Sequence, residues 1–243
     1  MAHQEENIWI PVPQGRLRAT RHWPGRCPAP YPIVIGVHGL LSNRHSRKQI
    51  DLARCCTARG MAYLRFDHRG RGDSPGDLAR DTSLTQRVAD LATVFSYLED
   101  QNNLDTARTG LFGSSFGGTV CLAFAADHPV SALVTLAAPI RSRPLMALSS
   151  DLIPQAVPVS FFEKQRQFDL RDRVPAVHHL LCCHGEADAI VPPAHAREIE
   201  ALAGKPKELL IFPGADHRLS SPAQREILMQ RARAWFSRYL ISE

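Results

Sequence analysis

The sequence has no apolar run long enough to cross a bilayer as a helix, which takes about 20 apolar residues in succession. Its longest apolar stretches, such as residues 132–139, are six to eight residues long. Residues 1–7 are polar and lack the apolar segment of a secretory signal. We therefore expect no membrane span and a cytoplasmic location.

Lysine is scarce as well: only four of the 29 basic residues are lysines, and the arginines that make up the rest are scattered along the chain. The sequence has no dense basic tail and no basic stripe interleaved with aromatic residues, which are features of nucleic-acid-binding segments. The net charge of +5 is therefore interpreted as a solvated surface, and no nucleic-acid partner is expected.

Metal and nucleotide motifs are missing too. The six cysteines contain no CxxC pair and no Cys/His spacing typical of zinc, and the histidines show no H-E-x-x-H arrangement. Four of the six cysteines form two pairs of sequence neighbours, and neighbouring cysteines form a disulfide with each other only with strain. The glycine-rich stretch 66–74 has neither GxGxxG nor P-loop spacing. We expect reduced thiols, no metal and no cofactor.

The secondary-structure pattern alternates between strands and helices. A β-hairpin is predicted first, from residues 7–12 and 16–23 with a turn at 13–15. The predicted strands that follow are 33–37, 61–66, 109–112, 132–137, 177–183 and 208–212, and the predicted helices are 47–59, 82–99, 116–127, 194–203 and 222–240. This order predicts an α/β fold with a mostly parallel sheet and helices on both faces. Every strand should end at one edge of the sheet, where ligands bind.

Residues 140–174 break this alternation. The segment contains three prolines among many large apolar residues, and it is too long and too apolar for an ordinary loop. We expect a single domain over residues 1–243 in which this segment is a small, partly helical insertion that lies over the sheet edge as a cap.

The motif most specific for chemistry lies between a predicted strand and a predicted helix. Residues 113–117 read Gly-Ser-Ser-Phe-Gly, the pattern G-x-S-x-G with Ser115 at its centre. In that pattern the serine occupies a strained turn, where a Cβ at Gly113 or Gly117 would clash. The helix that begins there offers backbone N–H groups to a developing oxyanion. The alternative is a helix cap without chemistry.

In this context the sequence resembles the α/β hydrolases, in particular the serine-nucleophile branch of small esterases, thioesterase-like acyl hydrolases and serine aminopeptidase-like proteins. The resemblance extends from residue 33 to the C-terminus. In this family an acid and then a histidine follow the nucleophile. Asp188, in the loop 184–192, matches the acid, and His217, in the loop 214–217, matches the histidine. Glu186 and Asp216 are rival acids, but Glu186 is two residues early and Asp216 adjoins the histidine.

The resemblance assigns a role to each of these residues. His217 would accept the Ser115 proton and return it to the leaving group, and Asp188 would hold the imidazole in the required tautomer. The oxyanion hole would use the backbone N–H of Phe116 and that of Leu40, with Leu41 as the fallback.

Three further polar residues are expected to brace loops of this site. His38 should support the loop that contains Leu40 and take no part in catalysis itself. Asp67 and Arg69 should brace the glycine-rich turn.

The function implied is a serine hydrolase that cleaves small or medium acyl esters through an acyl-enzyme on Ser115. A thioesterase, an acyltransferase or an aminopeptidase would use the same residues, and a binding protein that has lost catalysis is a less favoured alternative. A peptidase should carry an acidic cluster, and the insertion offers only Asp151 and Glu163. The partner would be a small acyl compound. The candidate acyl-pocket wall, which could equally pack only the insertion, consists of Met146, Leu148, Leu152, Phe161 and Phe162.

Overall fold

One eight-stranded sheet organises the protein in a computed structural model that describes residues 4–13, 15–25, 27–78, 80–142 and 167–241. The strands are β1 Gln4–Val12, β2 Gly15–Trp23, β3 Tyr31–Val37, β4 Ala62–Phe66, β5 Leu104–Ser114, β6 Ala132–Leu136, β7 Leu180–Gly185 and β8 Lys207–Phe212. Their order across the sheet is β1-β2-β4-β3-β5-β6-β7-β8.

The sheet is parallel except at β2, which runs antiparallel to both β1 and β4. The expectation that every strand ends at the same edge is therefore wrong for β2, because the hairpin reverses the chain there. From β3 to β8 all neighbouring strands are parallel, so their carboxyl ends share one edge. The loops after β5, β7 and β8 consequently all start at this edge.

The described helices follow the predicted ones closely. They are α1 Arg47–Thr57, α2 Leu84–Glu99, α3 Phe116–Asp127, α4 Ala194–Leu202 and α5 Pro222–Leu240, with a 3₁₀ turn at Val174–Ala176. Among the described residues no helix combines the length and the apolar character that a membrane crossing would need.

Helices cover both faces of the sheet. Ile33, Ile35 and Val37 of β3 face one core cluster, which α2, α3 and α4 complete, while Val34 faces the opposite cluster with α1 and α5. Successive side chains of a strand point to opposite faces, so a strand buried on both sides is apolar throughout. This two-layer burial holds the strand ends, and the loops that leave them, in fixed positions.

The two ends of the predicted cap meet next to the sheet. Ser142 N donates to Phe168 O over 2.9 Å, and Leu170 N donates to Ile140 O over 3.0 Å. Residues 143–166 lie outside the described part of the chain, and with them the whole proposed acyl-pocket wall, Met146, Leu148, Leu152, Phe161 and Phe162. The cap therefore stays a prediction.

Candidate active site

Ser115 lies on a sharp turn between β5 and α3. Its backbone has φ 54° and ψ −128°, a conformation that residues with a Cβ rarely adopt and that stores strain. A Cβ on Gly113 would lie 2.5 Å from the Gly117 carbonyl oxygen, and one on Gly117 would lie 2.3 Å from the Val37 carbonyl oxygen. Both contacts are with backbone atoms, so only glycine fits two residues before the serine and two residues after it.

A chain of hydrogen bonds starts at this serine. Ser115 Oγ lies 3.0 Å from His217 Nε2, and His217 Nδ1 lies 2.7 Å from Asp188 Oδ2. The three residues follow β5, β7 and β8, whose carboxyl ends share one edge of the sheet. The structure thus brings together the hydroxyl, imidazole and carboxylate that the sequence motifs single out.

The Asp188 carboxylate lies in a pocket built to hold a negative charge. Oδ1 accepts from the backbone N–H groups of Ile190 and Val191, each over 2.9 Å, and Oδ2 accepts from His217 and lies 3.2 Å from His184 Nε2. Burial by itself would raise the pKa of Asp188, but the hydrogen bonds from His184 and His217 outweigh it and hold that pKa well below its usual value. The group is therefore ionised at neutral pH.

The two rival carboxylates are engaged elsewhere. Glu186 is exposed and accepts from the Gly214 N–H over 3.0 Å. Asp216 is also exposed, and its two oxygens accept from the backbone N–H and the hydroxyl of Ser220 over 2.8 and 2.5 Å. Asp188 is the carboxylate that the structure places against the His217 ring.

The loop that follows β3 packs directly on the serine. A Cβ on Gly39 would lie 3.2 Å from the Ser114 carbonyl oxygen and 3.4 Å from Ser115 Cβ. The loop therefore approaches the serine as closely as a glycine backbone allows, and Leu40 follows this glycine. Phe116 is the first residue of α3, and the Ser115 side chain does not cap that helix. The two residues predicted to form the oxyanion hole thus flank the serine from different elements.

His38 braces this loop, as expected. Its ring is buried, Nε2 accepts from the His68 N–H over 3.1 Å, and Nδ1 lies 2.7 Å from the Gly39 carbonyl oxygen. Because Nε2 acts as an acceptor, the ring proton resides on Nδ1 and is donated to Gly39. Burial, with the nearby positive charge of Arg87, lowers the pKa of His38 well below its usual value, so the ring is neutral.

Two arginines that the sequence analysis left without a role hold the same loop. Arg87 of α2 donates to the carbonyls of Gly39 and Leu40 over 3.3 and 2.9 Å. Arg71 donates to the carbonyls of Leu41 and Ser42 over 2.5 and 3.1 Å. The sequence does carry a signal for Arg87, because it occupies an apolar-face position three residues after Leu84 in the helix.

The glycine-rich turn is braced by the residues expected to do so. Asp67 is fully buried and accepts from the N–H groups of Arg44 and Asp73 over 2.6 and 3.0 Å, and it forms an ion pair with the Arg44 side chain. Arg69 donates to Asp90 of α2 over 2.8 Å. The prediction that Asp67 and Arg69 brace this turn is confirmed.

His184 and Lys48 support the site without having been predicted. His184 is fully buried, and its Nε2–H is directed to the Val191 carbonyl over 2.8 Å as well as to Asp188. Lys48 Nζ donates over 2.9 Å to the carbonyl of Arg218, the residue next to His217. His184 follows the acid-loop pattern in the sequence, whereas the Lys48 contact spans 170 residues and has no local signal.

Metal ligands do not cluster in the described part of the chain. There, no group of three or more His, Cys, Asp or Glu side chains is arranged to hold a metal ion. The histidines near the serine have instead the protein partners described above. The hydroxyl, imidazole and carboxylate are arranged so that the imidazole can accept the proton of the hydroxyl.

Solved structures share this architecture. The ferulic-acid complex of Est1E from Butyrivibrio proteoclasticus superposes with a TM-score of 0.84, at 20% identity, over 97% of this chain and 100% of the other. Dienelactone hydrolase from Anabaena variabilis superposes with a TM-score of 0.76, at 22% identity, over 98% of this chain and 99% of the other. The fold is that of the α/β hydrolases.

A family model described as serine aminopeptidase, S33, matches residues 28–179. This match covers more than half of the chain, which therefore belongs to the serine aminopeptidase S33 family within the α/β-hydrolase superfamily. The matched region contains Ser115, Leu40 and Phe116 and ends before Asp188 and His217.

Sequence relatives are distant. The uncharacterized protein Rv2307c of Mycobacterium tuberculosis is 29% identical over 193 residues, which are 76% of this chain and 63% of that protein. The chain thus spans less than two thirds of that relative's length. A mitochondrial palmitoyl-protein thioesterase of Rattus norvegicus, ABHD10, is 24% identical over 223 residues, covering 82% of this chain and 73% of the rat protein.

Proposed function

We propose that this chain is a serine hydrolase that cleaves small or medium acyl esters through an acyl-enzyme on Ser115. The observation that carries the proposal is the unbroken hydrogen-bond chain from Ser115 Oγ through the His217 ring to Asp188, at distances of 3.0 and 2.7 Å. A helix cap without chemistry would not require a strained serine to face an imidazole that is itself held by a buried carboxylate.

The acylation step follows from this geometry. As Ser115 Oγ attacks the substrate carbonyl carbon, its proton passes to His217 Nε2 and the carbonyl oxygen becomes an oxyanion. Asp188 accepts the Nδ1–H and stabilises the imidazolium that forms. The tetrahedral intermediate then collapses, the bond to the leaving alcohol breaks, and His217 returns the proton to that alcohol.

Deacylation repeats the sequence with water. His217 takes a proton from the water as its oxygen attacks the acyl carbon, and it returns that proton to Ser115 Oγ when the free acid leaves. In both steps the oxyanion would be held by the backbone N–H groups of Leu40 and Phe116. The amino-terminal end of α3 adds a favourable dipole at the same place.

We also propose that the protein is one domain whose residues 140–174 form a small cap beside this site. The support comes from the ends of that segment. Ile140 is buried in the core, and the Phe168 ring lies 5.9 Å from the ring of Phe116, the residue next to the serine. The chain that joins these ends leaves and returns next to the proposed nucleophile, where the acyl group would bind.

A cytoplasmic location is the third part of the proposal. All six cysteines are free thiols, and four of them, Cys56, Cys121, Cys182 and Cys183, are buried. Proteins of oxidising compartments more often pair their cysteines. Thiol titration of the denatured protein, purified without reductant, should therefore count six free thiols.

The decisive experiment measures turnover of p-nitrophenyl acetate, butyrate and octanoate by the wild type, Ser115→Ala and Ser114→Ala. Ser114 is the matched control, because it is the neighbouring serine and carries no hydrogen bond to His217. We expect turnover that survives in Ser114→Ala and falls by about 10⁶-fold in kcat in Ser115→Ala, the loss seen for a triad serine in subtilisin. Equal turnover in all three proteins would refute the proposal.

A thioesterase is the second candidate, because two rodent relatives are named palmitoyl-protein thioesterases. Butyrate and palmitate esters should be compared with thioesters of the same acyl chains, together with aminoacyl p-nitroanilides for the peptidase alternative. A kcat/KM that is higher for the thioester than for the ester of the same acid would favour the thioesterase. All of these activities should depend on Ser115.

A further inference from the structure

One fully buried cation near the serine has no part in the triad. The Arg87 side chain is 0% exposed, and by residue volume it is the largest of the completely buried side chains among the described residues. Its hydrogen-bond acceptors in the described chain are the carbonyls of Gly39 and Leu40, not a carboxylate. Asp90, which attracts it electrostatically, is itself bonded to His68 and Arg69. A charge buried in this way is costly and calls for an explanation.

The two carbonyls belong to the peptide groups that matter for the oxyanion hole. The Gly39 carbonyl and the Leu40 N–H are parts of one planar trans peptide, and so are the Leu40 carbonyl and the Leu41 N–H. In a trans peptide the C=O and N–H point in opposite directions. A guanidinium that holds both carbonyls therefore directs both N–H groups away from itself. Those two N–H groups are the candidate donors to the oxyanion.

Arg87 also contacts the other side of the hole. Its Cζ lies 5.4 Å from the centre of the Phe116 ring, within the range of a cation–π interaction. Phe116 supplies the second proposed N–H donor. One side chain thus touches the two elements, the loop after β3 and the start of α3, whose spacing defines the oxyanion hole.

We propose that Arg87 is a positioning residue of the oxyanion hole, which fixes the Leu40 and Leu41 peptides and places a permanent positive charge behind them. The inference rests on the proposed serine-hydrolase function. The charge attracts the oxyanion only after it has formed, and in a water-free interior that attraction is weakly screened. Arg87 should therefore stabilise the tetrahedral intermediate more than the bound ester.

The test compares the wild type with Arg87→Met and Arg87→Lys. Each protein is assayed with p-nitrophenyl butyrate and with two ketones of equal chain length. The serine hydroxyl adds to the carbonyl carbon of a trifluoromethyl ketone and so forms an oxyanion, whereas the methyl ketone binds without forming one. We expect Arg87→Met to lower kcat/KM roughly 10- to 100-fold, mainly in kcat. The inhibition constant of the trifluoromethyl ketone should rise by the same factor and that of the methyl ketone should stay unchanged. Arg87→Lys should be intermediate.

Arg108→Met is the matched control, because Arg108 also donates to a backbone carbonyl, that of Leu240, but lies towards the opposite end of β5 from Ser115. It should leave both ketone affinities unchanged. A folded Arg87→Met enzyme with wild-type kcat/KM overturns the proposal. Weakening of both ketones by one factor also overturns it, since that result indicates a purely structural role.

If Arg87→Met does not fold, Arg87→Lys decides the question. Selective weakening of the trifluoromethyl ketone in that variant supports the proposal, and wild-type affinity for it overturns the proposal. The Ser115→Ala enzyme separates the two levels of inference. Turnover that does not depend on Ser115 contradicts the proposed function, whereas turnover that depends on Ser115 but not on Arg87 contradicts only the role of Arg87.

Discussion

Replacing Asp188 by asparagine keeps the size of the side chain and removes its charge. In the wild type Oδ1 accepts from Ile190 and Val191, and Oδ2 faces His184 and His217. An asparagine has one acceptor oxygen and one NH₂ donor group. Whichever way the amide is turned, the NH₂ group faces two groups that donate to the carboxylate in the wild type.

The magnitude of the effect follows from these contacts. An NH₂ group that faces His217 favours the tautomer with its proton on Nε2, which cannot accept the Ser115 proton. The same substitution in a serine protease lowers kcat by about 10⁴-fold. We expect a loss of about 10³- to 10⁴-fold here, which corresponds to about 4 to 5.5 kcal/mol of transition-state stabilisation. The opposite orientation of the amide would leave the N–H groups of Ile190 and Val191 without a partner and would lower the unfolding free energy by about 2 to 4 kcal/mol.

The assay is kcat for p-nitrophenyl butyrate at pH 8, with urea unfolding followed by circular dichroism. Glu186→Gln and Asp216→Asn are the controls, because both carboxylates are exposed and bonded away from the His217 ring. Their kcat should stay within about threefold of the wild type, as is usual for surface substitutions. An Asp188→Asn enzyme of nearly wild-type kcat, together with an inactive control, would refute the assignment of the acid.

Two further predictions concern pH and packing. Burial lowers the pKa of His68 to about 4, so the unfolded state binds its proton first as the pH falls. The contribution of neutral His68 to the unfolding free energy is complete above the ordinary histidine pKa. It falls by about 3 kcal/mol as the pH drops towards 4. A His68→Gln variant should show a smaller loss in that range by urea titration. Gly117→Ala should lower the thermal midpoint strongly and abolish activity, because its Cβ would lie 2.3 Å from the Val37 carbonyl oxygen.

Local sequence signals sufficed for several elements of the fold. Helix α3 spans Phe116–Asp127, as predicted, although its first ten residues are all buried and it has no polar face for a periodicity argument to detect. The start of α3 was instead predictable from the small residues around Ser115. Helix α5 begins at Pro222, a residue whose fixed φ and missing N–H suit the first turn of a helix.

Other features depend on pairing that no single segment reveals. Strand β5 begins at Leu104, five residues before the predicted start at 109, because Leu104 and Asp105 pair with Tyr31 and Pro32 across a register shift. The polar residues of this extension hide it from a hydrophobicity pattern. Strand β7 begins at Leu180 and not at 177, because His179 has a φ of 51°, which lies outside the β region.

The candidate site divides in the same way. Ser115, Asp188 and His217 lie in loops whose glycines and flanking strands identify them from sequence. Arg87 donates to the carbonyl of Leu40, which is 47 positions away in the sequence. Lys48 donates to the carbonyl of Arg218, which is 170 positions away. Their partners are backbone atoms, which leave no complementary charge in the sequence to match.

The strained backbone at Ser115 has a consequence for the evolution of this protein. At φ 54° a glycine would fit with less strain than any residue that carries a side chain. Folding alone would therefore favour glycine, which lacks the proposed nucleophile, so the serine lowers the stability of the fold. Under the proposed function, stability and catalysis place opposite demands on position 115.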